Sequence, residues 1–166
     1  MEILTYPDEQ LKQQCDSVTR FNDELRQFIA ELEAFMRTQP GGIGIAAPQV
    51  GRGQRICIVD LTGMTRGKKK REVPNQGRMI LINPEITEWD GYELGREGCM
   101  SVPDYTGNVI RATRIKFTAN DEFGKQHEYT SEGFEARAIQ HEVDHLDGLL
   151  FLDRLVSRRT DLFQRK

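Results

Sequence analysis

Residues 131–146 read SEGFEARAIQHEVDHL, and the five at 141–145, His-Glu-Val-Asp-His, decide how the rest is organised. Ser131 can cap a helix here, and Gly148 can stop it just past Leu146. On such a helix positions i and i+4 share a face, so His141 and His145 point the same way. Two imidazoles at that spacing, with Glu142 between them, are suited to hold one metal ion beside a carboxylate base. Upstream, residues 109–119 (VIRATRIKFTA) alternate in the manner of a strand. A turn at Asn120–Gly124 follows, and His127–Tyr129 return antiparallel.

Further from the helix the pattern stays strand-rich. Residues 55–60 (RICIVD) predict a buried strand, and Ile80–Asn83 another that ends at Pro84. Ile86–Trp89 predict a separate strand before a turn at Asp90-Gly91. Residues 61–79 are polar and basic in the middle (Lys68–Arg71) and are expected to be an exposed loop. Near the start, Pro7-Asp8 can open a short helical segment. Leu25, Phe28, Ile29, Leu32, Phe35 and Met36 recur every three or four residues, which predicts a helix over 23–38 capped by Asn22 or Asp23 and stopped by Pro40-Gly41-Gly42. Strands dominate the middle with a helix at each end of them, which predicts an α+β fold, and the short hairpin links predict antiparallel sheets.

The 166 residues, 37% of them apolar, fit one domain over 1–166 with a short basic tail from about 156 to 166. The formal charge of −3 argues against a dedicated DNA or RNA binder. No run has the length of a membrane span, and MEILTYPDEQ lacks the apolar segment of a signal peptide. Three widely spaced cysteines, an odd set, point to a reducing compartment. A bacterial-type cytoplasm, or an organelle of bacterial origin, is expected.

Two histidines leave a catalytic metal one protein ligand short. His127 lies in a polar hairpin and reads as a surface residue. Cys99, in Glu97-Gly98-Cys99-Met100-Ser101, is the better third ligand, because a thiolate completes a set with one open position. Cys15 and Cys57 sit in apolar-patterned segments and read as small core residues. Gln49, at the end of a Gly-rich stretch, can offer its amide to a developing oxyanion. The glycines at 42 and 44 leave a backbone open to an extended peptide. A metallopeptidase with an acidic third ligand would leave Cys99 and Gln49 without a purpose. A closed structural zinc site would need a fourth ligand.

Together these segments resemble the peptide deformylase family. Residues 42–49, GIGIAAPQ, match its G-φ-G-φ-A-A-x-Q motif, residues 97–101 its E-G-C-φ-S motif, and residues 141–145 its H-E-x-x-H motif, in the family's order. ILTYPDEQL resembles the family's usual opening. The resemblance implies an α+β fold with antiparallel sheets around a central helix that carries HEVDH. The resemblance implies hydrolysis of the formyl group from formyl-methionyl N-termini of nascent polypeptides, releasing formate. It implies a metal on Cys99, His141 and His145, with Fe(II) as the cellular ion and Zn(II), Ni(II) or Co(II) taken up on purification. Glu142 is then the general base. Gln49 and the Met100 backbone N–H stabilise the oxyanion. Ile43, Gly44, Glu97, Phe134, Arg137 and Ala138 fall at substrate-binding positions, with the head of Arg137 expected to reach water. Met100 stands where the family most often has Leu, and Thr106 where many members have an Arg that contacts the substrate backbone. A transient contact with the ribosome is implied, to which Arg158, Arg159, Arg165 and Lys166 could contribute.

Overall fold

The computed structural model describes residues 1–165. In chain order the elements are α1 (Asp23–Thr38), β1 (Gly44–Ala46), β2 (Ile56–Asp60), β3 (Thr65–Arg66), β4 (Arg71–Glu72), β5 (Arg78–Asp90), β6 (Glu93–Cys99), β7 (Val102–Arg111), β8 (Arg114–Asn120), β9 (Gln126–Glu132), α2 (Gly133–Leu146), α3 (Arg158–Asp161) and β10 (Leu162–Gln164). Short 3-10 turns at Glu9–Lys12, Ala47–Val50 and Phe151–Arg154 join them. A five-stranded antiparallel sheet runs β1-β2-β5-β8-β9 and a three-stranded one β10-β7-β6.

The layering follows from the two periodicities. Successive strand residues face opposite sides of a sheet. In β2, Cys57 and Val59 therefore pack with Ala136, Ile139, Val143 and Leu146 of α2. Ile56 and Ile58 point the other way and pack with Leu25, Phe28, Ile29, Leu32 and Met36 of α1. The five-stranded sheet is thus held between the two long helices, as the alternation of a strand buried on both faces requires. A third apolar cluster of Val102, Val109, Leu150, Phe151 and Leu152 also takes in Cys99, and it backs the three-stranded sheet.

α1 begins as expected, with Asn22 Oδ1 accepting from Leu25 N–H at 3.0 Å. It ends before Gly41, whose φ of +64° suits glycine. The start of α2 differs from the Ser131 cap. Glu132 holds the cap position without a side-chain bond, and Ser131 Oγ donates instead to Glu135 at 2.7 Å. Gly148, at φ +77°, follows the helix end as expected.

Three other expectations are corrected. Pro84 does not end a strand, because β5 runs through it. A register shift between Ile82 and Glu85 puts the proline at a bulge, where no ladder donor is missed. Asn83, at φ +52°, uses the kink to pair its side chain with Val18 N–H and C=O. The run 109–119 is two strands in different sheets, broken at Ala112-Thr113. Gln140 of α2 satisfies both backbone groups of Ala112 at that crossing. The 61–79 loop contains the small β3–β4 hairpin, with Lys68–Lys70 exposed at its tip.

The basic tail is not a free end either: β10 pairs with β7, Phe163 opposite Thr106. Lys166 lies outside the described residues. No helix among the described residues is long and apolar enough to cross a membrane.

Candidate active site

α2 brings His141, Glu142 and His145 beneath a cleft of about 540 Å³ that opens between β1 and β6. Each of these strands is the outermost of its sheet, so two unpaired edges face one slot. Cys99 enters from the end of β6. A register shift between Gly98 and Cys99 breaks the ladder there and turns the thiol inward. Cys99 Sγ lies 3.4 Å from His145 Nε2. One donor atom from each of Cys99, His141 and His145 lies within 4.8 Å of the others.

The ionisation states suit a metal. Burial opposes charge on Cys99, but the neighbouring imidazoles outweigh it and hold the thiol well below its ordinary range. His141 Nδ1 is engaged by Glu97 Oε1 at 2.8 Å, which leaves Nε2 for the site. A thiolate and two imidazoles, that of His141 oriented by Glu97, fit a first-row divalent ion with an open position.

Glu142 is 6% exposed, and its Oε1 is buried with no partner. Burial pushes its carboxyl up, and the two imidazoles offset this only in part. A side chain at position 44 would place its Cβ 2.6 Å from Glu142 Oε2, so the second glycine of the GIG stretch makes room for this carboxylate. Gln49 is buried in its 3-10 turn. Its Oε1 accepts from Ala46 N–H at 3.0 Å, while Nε2 donates to Ser101 Oγ at 3.1 Å and Cys99 Sγ at 3.5 Å. The amide is therefore fixed with its donor side toward the site.

Ile43, Gly44, Met100, Phe134 and Ala138 line the cleft at the expected positions. Glu97 and Arg137 line it too, with different duties. Both oxygens of Glu97 are committed: to Arg111 twice at 2.9 Å, to Arg137 at 2.7 Å and to His141. Glu97 thus holds other side chains and has no free oxygen for a substrate. The Arg137 head does not reach water. It is spent on Glu97, Val109 C=O and Glu93 C=O, and it lies against Gly95, where any Cβ would crowd it. Arg111 also pairs with Asp144 at 2.6 Å, and Asp144 with Arg154 at 2.9 Å. This network, buried except at Arg154, is the part that sequence reading missed. Arg111 and Arg154 carry no local signature, and only their partners in space reveal them.

His127 pairs with Asp121 at 2.7 Å on the β8–β9 hairpin, outside the site. Cys15 and Cys57 are buried, and burial raises both thiols, that of Cys15 to about 11.

Residues 1–161 match the family model for polypeptide deformylase. The chain belongs to the peptide deformylase family. It is 39% identical to the peptide deformylase of Thermodesulfovibrio yellowstonii over all of this chain and 95% of that one. It is 42% identical to that of Heliobacterium modesticaldum over 93% of each. Among solved structures, the Thermotoga maritima peptide deformylase superposes with a TM-score of 0.83 at 34% identity, over 94% of this chain and 97% of that one. The Synechococcus elongatus enzyme in complex with actinonin gives 0.82 at 36% identity, over 95% and 80%. As a peptide deformylase the chain is a metal-dependent hydrolase that removes the N-formyl group from nascent polypeptides.

Proposed function

We propose that deformylation takes place in the cleft between β1 and β6, with Cys99, His141 and His145 holding the metal and Glu142 moving the protons. The observation that carries this reading is the buried, unpartnered Oε1 of Glu142 beside the Cys-His-His set. The ion when bound supplies a Lewis acid that polarises the formyl carbonyl and eases deprotonation of water. Glu142 takes a proton from the attacking water and gives one to the amine as the C–N bond breaks, leaving formate and a free N-terminus. Its raised pKa suits both transfers. The Gln49 amide, giving up its long 3.5 Å contact with Cys99 Sγ, and the Met100 backbone N–H donate to the oxygen that gains charge.

The substrate chain lies extended along the Ile43–Gly44 edge, and Ile43, Phe134 and Ala138 take the methionine side chain. Fe(II) is the working ion, with Zn(II), Ni(II) and Co(II) as substitutes; the thiolate–imidazole donors suit this part of the first row. The protein works in a bacterial-type cytoplasm or an organelle of bacterial origin. It meets the ribosome transiently, and the exposed Arg158 and Arg159 are available for that contact.

The test is formate release from formyl-Met-Ala-Ser by anaerobically prepared, Fe(II)-loaded protein beside Glu142→Ala. Turnover in the wild type alone, with equal metal content in both, supports the assignment. Equal turnover in both removes Glu142 from the mechanism.

A further inference from the structure

The outer rim of the cleft carries two guanidinium groups that the chemistry above does not use. β10 brings Arg165 there: Arg165 N–H donates to Asp104 C=O at 2.8 Å, two residues beyond the Phe163–Thr106 pair. From this position its side chain crosses the face of the three-stranded sheet and lines the cleft. The crossing is possible because its path is shallow. Gly98 and Thr106 are register partners on that face, and a Cβ at Gly98 would collide with the Arg165 guanidinium.

Arg96 stands two residues before Gly98 on the same face. Its guanidinium lies 3.7 Å from the centre of the Phe163 ring and donates to Asn108 Oδ1 at 3.1 Å and Thr106 Oγ1 at 3.3 Å. It is thereby held in place by neutral partners. Among the described residues neither Arg96 nor Arg165 has a carboxylate partner. The acidic groups nearest them in the cleft wall, Glu97 and Glu142, are buried, and Glu97 is neutralised by Arg111 and Arg137. The exposed Asp104 stands across from Arg165 on β7, but it is not part of the cleft lining and, among the described residues, makes no ion pair with it, so the rim turns two guanidinium heads toward whatever leaves the cleft.

Where that charge falls on a substrate follows from strand geometry. A peptide extended in the slot along the Ile43–Gly44 edge has β6 on its other side, and with its formyl end at Cys99 it passes Gly98 and then Arg96. The distance is about 10 Å, or about three residues at 3.3 Å each. On that count its first residue passes Gly98 and its third Arg96, so the second lies between the two guanidiniums, within a side chain's reach of either. These are planar donor forks that match a carboxylate.

We propose that Arg165, carried in by β10 and supported by Arg96, forms a carboxylate-reading subsite that favours formyl-methionyl peptides with Asp or Glu at the second or third position. The inference rests on the cleft being the formyl-peptide site. Both arginines are solvent-exposed, so the effect is modest and salt-sensitive.

The experiment compares kcat/KM for C-terminally amidated formyl-Met-Ala-Ser, formyl-Met-Asp-Ser, formyl-Met-Ala-Asp and formyl-Met-Lys-Ser. The expected acid-to-neutral ratio is about fivefold at low ionic strength and shrinks with added salt. Arg165→Ala should bring the ratio close to unity, and Arg165→Lys should keep part of it. Arg165→Glu should turn the preference toward the lysine peptide, a reversal that mere loosening of β10 cannot produce. A wild-type ratio near unity with brisk turnover, or a ratio unmoved by Arg165→Ala and Arg165→Glu, overturns the subsite while leaving the reaction assignment intact. Absence of turnover on every formyl-peptide overturns both.

Discussion

Replacing Glu97 with Ala should damage stability and metal binding by separable amounts. The carboxylate is 7% exposed and accepts four hydrogen bonds, two from Arg111 and one each from Arg137 and His141. Breaking a buried ion pair by removing one partner costs about 3–5 kcal/mol. Arg111 keeps Asp144, and Arg137 keeps the carbonyls of Val109 and Glu93, so the lower end applies. About 3 kcal/mol corresponds to a loss of about 6–12 °C in Tm for a chain of this size. That drop should appear in thermal unfolding of the metal-free protein. His141 also loses the acceptor on Nδ1, and loss of such a partner lowers metal affinity about 10–100-fold. Competition between the protein and a chelator for Co(II) or Zn(II) measures this second effect. A metal-free Tm within about 2 °C of wild type, together with unchanged chelator competition, would refute the view that Glu97 organises this side of the site.

Three further outcomes follow from the same geometry. Gly44→Ala should lower kcat about 100-fold with metal content unchanged, since its Cβ would displace Glu142; near-normal turnover would contradict that contact. Gln49→Ala should lower kcat by about 10²–10³, and a change confined to KM would remove the amide from oxyanion stabilisation. Acid sensitivity should trace to Glu97. Burial works against its charge, but Arg111 and His141 more than offset this and hold the carboxyl far below its ordinary 4.5. The stability it contributes is complete above about pH 4.5 and drains as the pH falls toward the folded-state value, because only the unfolded chain then gains the proton. Tm measured down that range should fall more steeply in wild type than in Glu97→Gln, and parallel slopes would sink the attribution.

The helices and the reacting groups were legible for physical reasons. α1 and α2 carry apolar residues at helical spacing. His141, Glu142 and His145 are tied by one turn of helix, so their convergence is local. Cys99 and Gln49 are distant in sequence, and motif order tied them to the histidines. What stayed hidden depends on pairing across space. β5 looks interrupted at Pro84 because a bulge cannot be read from one strand alone. The run 109–119 looks continuous because its apolar pattern does not record a change of sheet. Glu97 and Arg137 fall at the cleft by motif, but Arg111, which pairs with Glu97, and Asp144, which pairs with Arg111, are joined to them only by folding the chain. A short basic tail reads as solvated until β7 is seen to have an unpaired edge for it.

The slot between β1 and β6 also bears on which proteins the enzyme can touch. An exposed strand edge normally invites pairing with any other edge. Here the two open edges face each other across a cleft of about 540 Å³, so neither is offered flat to the outside. A strand still built into its own sheet cannot enter, because its neighbours would have to occupy the walls. A lone, unfolded chain end can. Such an end presents the same N–H and C=O groups whatever its side chains are, so docking through the backbone is tolerant of sequence. The architecture thus separates young chain ends from finished proteins by their state of folding.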